Sequence, residues 1–177
     1  MSYNKLKSLV ANVDAIATAM KIRIDDRQAT DSEKEVLSRY SGFGGIKEIL
    51  NIGTGHAISD DMVEPIRRLQ DLVEAYPYYD DAMRQSVIDS IKSSVLTAFY
   101  TPKFLIDAVA RQIHATFKDN GLQMRTFLEP SAGIGGFLPV AMPGTHSYAF
   151  EKDSLTGLIL SLLHDKTTTV TAGFETI

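Results

Sequence analysis

The stretch Phe127–Leu138, FLEPSAGIGGFL, decides how this chain is read. An apolar run stops at Glu129 and Pro130. Gly133, Gly135 and Gly136 then arrive within four positions, and apolar residues resume at Phe137. Glycine is placed where the backbone takes a positive φ or where another group comes close to it. RTFLEP, residues 125–130, reads as a short strand that ends at this loop.

The flanking segments extend the pattern in both directions. Downstream, PVAM (139–142) reads as a short helix and PGT as a turn. HSYAFEKD (146–153) is then a second strand ending in acids, LTGLILSLLH (155–164) a helix, and TTVTAGFE (168–175) a third strand rich in β-branched residues. Upstream, Thr101 followed by Pro102 is a helix start: an N-cap hydroxyl, then a proline whose missing N–H costs nothing there. Phe104, Leu105, Val109, Ile113 and Phe117 are the expected buried face of that helix, which KDNG (118–121) stops. Helices alternating with strands define a parallel, doubly wound α/β arrangement.

The first 92 residues read as helical. Leu6, Leu9, Val10, Val13, Ile16, Ala17 and Met20 share one face at spacings of three and four. TDSE (30–33) is a capping box, with Val36, Leu37 and Tyr40 on one face after it. YSGFGGI (40–46) ends that helix, and its glycines suit a tight turn. NIGTGH (51–56) adds a further loop. A third helix carries Met62, Ile66, Leu69, Leu72 and Val73, with Pro65 expected in its first turn. A fourth carries Met83, Val87, Ile88, Ile91, Val95 and Leu96. No Pro/Gly/Ser-rich linker separates this part from residues 93–177.

Composition narrows the function classes. The 177 residues, 44% of them hydrophobic, suit an ordinary globular chain. With no cysteine, disulfides and thiolate metal sites are excluded. His56, His114, His146 and His164 lie far apart, and none has a second ligand at helical spacing, so no metal is expected. A net charge of −4 argues against a dominant electrostatic grip on nucleic acid; the Arg67–Arg68 pair reads as an exposed helix face. No apolar run approaches a membrane span, and MSYNKLKSLV lacks the apolar core of a signal peptide, so a cytoplasmic location is expected.

A glycine loop at the carboxyl edge of a parallel sheet suits two ligand classes. Dinucleotide sites use G-x-G-x-x-G, but Leu138 stands where the third glycine belongs. S-adenosylmethionine sites need no pyrophosphate cradle, only glycines and an acid ending the next strand to take the ribose hydroxyls. Glu151 stands at that place, at roughly the 20-residue spacing of such acids.

LEPSAGIGGFL, together with FYTP at Phe99–Pro102, resembles the cofactor segments of DNA adenine methyltransferases that modify the exocyclic amino group. The order of FYTP, glycine loop and acid is the same, over Val95–Ile177. YSGFGGIKEIL is also similar to the N-terminal region of very large methylase–helicase proteins of phages and mobile elements. The resemblance implies an N-terminal helical segment (1–92), followed by a partial S-adenosylmethionine-binding domain (93–177). That domain is the first half of a Rossmann-like class I methyltransferase sheet, about three parallel strands with helices.

Site residues follow from the same resemblance. Tyr100 and Thr101 lie near the methionine carboxylate. Glu129 faces the methionine ammonium, in a loop continued by Pro130 and Ala132. Gly133 and Gly135 pass under the cofactor. Glu151 holds the ribose, with Lys152 beside the adenine. Phe174 stands where the family places the aromatic for the adenine ring, and Glu175 is a candidate for its amino group, although here the acid follows the aromatic.

The family's catalytic tetrapeptide, Asn or Asp, two prolines, then Tyr or Phe, is absent, so no catalytic residue is assigned. The expectation is therefore the front half of an enzyme, inactive alone. It would reach DNA through a full-length protein and join a missing C-terminal half, with an open first strand that favours self-association. Two alternatives remain. One is a non-catalytic binding or assembly module that keeps the fold; the other, a nicotinamide-dependent enzyme, lacks the third glycine.

Overall fold

The computed structural model describes residues 4–51, 58–78 and 80–176. Among these residues are six α-helices and a three-stranded parallel sheet, so the chain is mixed α/β. It divides into two compact units, Met1–Phe99 and Tyr100–Ile177. The expected division at 92/93 falls inside the fourth helix, which no breaker interrupts before Ala98.

In the first unit, α1 (Lys5–Ile24) starts at Asn4, whose side chain accepts the Lys7 N–H. Leu9, Val13, Ile16 and Met20 are buried as the stripe predicts, whereas Val10 is exposed, and Asn12 and Ile22 are buried in addition. Helix α2 (Asp31–Leu37) carries the expected capping box: Thr30 Oγ1 accepts the Glu33 N–H at 3.3 Å, and Glu33 Oε2 accepts the Thr30 N–H at 2.9 Å. The Arg27 guanidinium bonds the same carboxylate and, with the Thr30 N–H, holds its pKa down at about 2.

Helix α3 (Asp60–Ala75) buries Met62, Ile66, Leu69 and Val73. Pro65 sits in its second turn, not its first, because the helix begins at Asp60; the missing N–H leaves only the Asp61 carbonyl without its helical donor. Helix α4 (Asp81–Thr97) is capped by Asp80, which accepts the Met83 N–H at 2.8 Å. Val87, Ile91 and Val95 turn inward, but Met83 and Leu96 of the expected stripe are exposed, and Ser90 and Ser94 are buried instead.

The 40–46 turn is built into this unit. Asn12, fully buried, donates from Nδ2 to the Gly42 carbonyl at 2.6 Å and accepts the Ser41 N–H at 2.8 Å. Gly42 and Gly45 take φ of +64° and +77°, and a Cβ on Gly42 or Gly44 would collide with Ala98. These glycines bring the turn against the end of α4, which makes it a packing device. Of the NIGTGH loop, residues 52–56, His56 included, lie outside the described residues.

In the second unit, α5 (Lys103–Asp119) begins one residue later than expected. Its cap is Pro102, in an extended conformation with no side-chain bond, so Thr101 is not the N-cap. Ile106 is its one buried residue; Phe104, Leu105 and Val109 of the expected buried face are exposed. The helix rests on a 3-10 turn at Leu138–Val140, where His114 Nε2 donates to the Val140 carbonyl at 2.8 Å. That single turn replaces the helix expected at PVAM: Pro143 disfavours the helical conformation of the residue before it, and Ala141 is already extended.

Strands β1 (Thr126–Glu129), β2 (His146–Phe150) and β3 (Thr168–Val170) pair in parallel in the order β1-β2-β3, with Leu128 opposite Tyr148 and Tyr148 opposite Thr168. The third strand is shorter than expected, and Phe174–Thr176 forms a 3-10 turn. Helix α6 (Ser154–Leu163), capped by Asp153, crosses from β2 to β3; Gly157 in it leaves room for the Thr171 side chain. Ala132, Leu138, Ala149 and Leu160 form the core beside the sheet, with Phe127 packed on it. The small parallel sheet with its crossover helix is compatible with part of a Rossmann-like fold.

Candidate functional site

Parallel pairing puts the carboxyl ends of all three strands at one edge of the sheet. Leaving β1, the loop is anchored to β2, with the Ala132 N–H bonding the Phe150 carbonyl at 2.8 Å. The next residue meets Glu151, where the Gly133 N–H donates to Oε2 at 2.8 Å. The other oxygen of Glu151 accepts the Asp153 N–H at 2.8 Å, beside the cap of α6. Its backbone N–H bonds the Val170 carbonyl of β3 at 3.0 Å. One carboxylate thus ties the glycine loop to the start of α6, at the expected strand end. An ionised carboxylate offers about four lone-pair positions, so these two bonds leave acceptor capacity for further donors.

The glycines answer a steric demand from within the chain. Gly133 and Gly135 have φ of +56° and +86°. A Cβ on Gly133 would run into the Tyr100 ring, and one on Gly135 into the His164 ring. His164 Nε2 donates to the Ile134 carbonyl at 2.9 Å, holding the loop from α6's end. The Tyr100 ring therefore lies over Gly133 of the loop. Its hydroxyl is pushed to a higher pKa by burial and the nearby Glu151 charge, against a hydrogen bond to Thr156 that works the other way. Thr101 is exposed.

Glu129 ends β1 half-buried, and burial raises its carboxyl pKa against the lowering effect of the Ser131 N–H. A desolvated acid of this kind is relieved by a cation placed beside it. Pro130 is exposed, and Ala132 is buried in the core cluster.

On the β3 side, Phe174 packs edge-on against Phe150, ring centres 5.4 Å apart, and is 45% exposed. Lys152 pairs with Glu175 at 2.9 Å, and this exposed lysine holds the Glu175 carboxyl below its ordinary pKa. Tyr100, Gly133 and Glu151 are thus brought together, and Lys152, Phe174 and Glu175 form a second group joined to the β2 end through Phe150. The sequence marks neither Asp153 nor Thr156 as part of the site, and offers His164 only as an isolated histidine. Only the D-S-x-T spacing at 153–156 signals a helix cap there.

Comparison with protein-family models, with curated proteins and with solved structures finds no match for this chain. Among the described residues, no helix is long and apolar enough to cross a membrane.

Proposed function

We propose that this chain is the S-adenosylmethionine-binding portion of an adenine-specific DNA methyltransferase. The observation that carries the reading is the convergence of Tyr100, Gly133 and Glu151 at the carboxyl edge of the parallel sheet, where open α/β sheets take their ligands. Glu151 takes the ribose hydroxyls with its remaining acceptor positions. Glu129 supplies negative charge for the methionine ammonium, and its burial makes that cation welcome. The half-exposed face of Phe174 receives the adenine ring. The chain holds no Asn/Asp-Pro-Pro-Tyr/Phe tetrapeptide to grip a flipped adenine, so methyl transfer requires residues from elsewhere. DNA, and a partner segment bearing that tetrapeptide, complete the activity.

A second reading, a non-catalytic module that keeps the fold, draws support from the rings over Gly133 and Gly135. Tyr100 and His164 account for both glycines without a ligand. Equilibrium titration with S-adenosylmethionine and, separately, with a nicotinamide dinucleotide distinguishes the readings. Binding of the former that weakens by about 1.5–3 kcal/mol in Glu151→Ala supports the methyltransferase reading. Preference for the dinucleotide, or indifference to both ligands, contradicts it.

A further inference from the structure

We propose that the helical unit carries a docking groove for the phosphate backbone of duplex DNA, laid along α1. An open groove of about 630 Å³ follows one face of this helix, with Lys7 at one end and Lys21 at the other. These lysines are separated by about four helical turns, or roughly 21 Å, close to six base-pair steps at about 3.4 Å each. Arg39, just beyond α2, and Arg68, on α3, supply cations from the two walls.

Among the described residues the one carboxylate lining the groove is Asp14, and Arg68 is its ion-pair partner. Lys7, Lys21 and Arg39 are exposed and have no ion-pair partner among the described residues. With Arg68 matched to Asp14, three unmatched cations leave this groove net positive on a chain whose net charge is −4. Whole-chain charge conceals such segregation, and a cluster of unpaired cations is complementary to a phosphate backbone.

The floor distinguishes among polyanions. Between the cations lie Val10, Ala11, Ala17, Thr18 and Val36, with no aromatic ring among the described residues to stack an unpaired base. The apolar part of the floor goes no larger than valine, without the Trp, Phe or Leu that anchors a helix in a lipid surface. Backbone contact with a duplex, without base readout, is what remains. Choosing DNA over duplex RNA rests on the proposed function.

The test is fluorescence anisotropy of the full chain with a labelled DNA duplex of about 20 base pairs, from low to moderate salt. Two variants are compared with the parent: Lys7→Ala/Lys21→Ala/Arg39→Ala, and Arg84→Ala/Lys92→Ala, which removes two cations lining a different crevice. The groove variant should bind about tenfold or more weakly. Its slope of log affinity against log salt should flatten by about 0.9 for each phosphate contact removed. The second variant should match the parent. No duplex binding by the parent at low salt overturns the proposal. So does a groove variant with the parental slope, or a preference for single-stranded DNA, duplex RNA or phosphatidylserine vesicles over the DNA duplex. S-adenosylmethionine titrated into the same proteins separates the two ideas: groove-dependent duplex binding without cofactor binding sustains the groove and sinks the methyltransferase reading.

Discussion

In α1, Leu9, Val13 and Ile16 are fully buried; in α5, Phe104 is 69% exposed, with Leu105 and Val109 exposed beside it. Both helices are long, and both carry apolar residues at spacings of three and four. The difference lies in what their own units offer them. Helix α1 packs against α2 and α3, whereas α5 rests on one 3-10 turn through Ile106 and His114. An amphipathic pattern reports which face is apolar. Whether that face is covered depends on elements elsewhere in the chain or on another molecule.

The largest expected effect sharpens this contrast. Ile16→Ala should lower unfolding free energy by about 2–5 kcal/mol, as buried truncations of this size do. Phe104→Ser should change it by no more than about 0.5 kcal/mol, the usual range for exposed positions. Urea denaturation measures both, and a large loss in Phe104→Ser would mean that the α5 face is covered in solution.

Next comes Asn12→Ala, which leaves the Gly42 carbonyl and the Ser41 N–H without their buried partner. The Gly42 bond is buried and the Ser41 bond only partly so, and the expected loss is about 1–3 kcal/mol in all. Denaturation with a midpoint unchanged from the parent would show that the 40–46 turn does not depend on this residue.

A smaller effect is expected in the second unit. Gly133→Ala forces a side chain into left-handed backbone, at about 1–2 kcal/mol, and against the Tyr100 ring. Made in a Tyr100→Ala background, the same change should cost less, because the collision is gone. Additive costs in a double-mutant cycle would separate Tyr100 from the loop.

Glu129 gives the smallest change, and it depends on pH. Burial raises its carboxyl pKa in the folded protein, so its contribution to stability is complete below the ordinary glutamate range and is lost as pH rises through the raised value. Glu129→Gln should therefore raise the melting temperature at neutral pH and leave it unchanged in acid. A variant that melts lower at neutral pH would show that the carboxylate has a stabilising partner.

Much of this architecture was legible because chemistry marks its ends. Thr30 and Glu33 announce a helix start, Glu129–Pro130 and Glu151 stand at strand ends, and Gly121 follows the last turn of α5. Other features depend on distant residues. Nothing near Asn12 marks it as buried, since its partners are Ser41 and Gly42. The rings that explain Gly133 and Gly135 come from Tyr100 and His164, and a histidine isolated in sequence gave no sign of that role. The helix expected after the glycine loop is cut short locally, because Pro143 turns the residue before it away from the helical conformation.

Amide spectra of the isotopically labelled chain during titration with S-adenosylmethionine test the proposed cofactor site at the carboxyl ends of β1 and β2. A cofactor bound there should give saturable shifts concentrated at Gly133, Gly135, Glu151, Lys152 and Phe174, with the Gly133 amide, already bonded to Glu151, among the largest. Shifts confined to the helical unit, or an unchanged spectrum at millimolar cofactor, would contradict it.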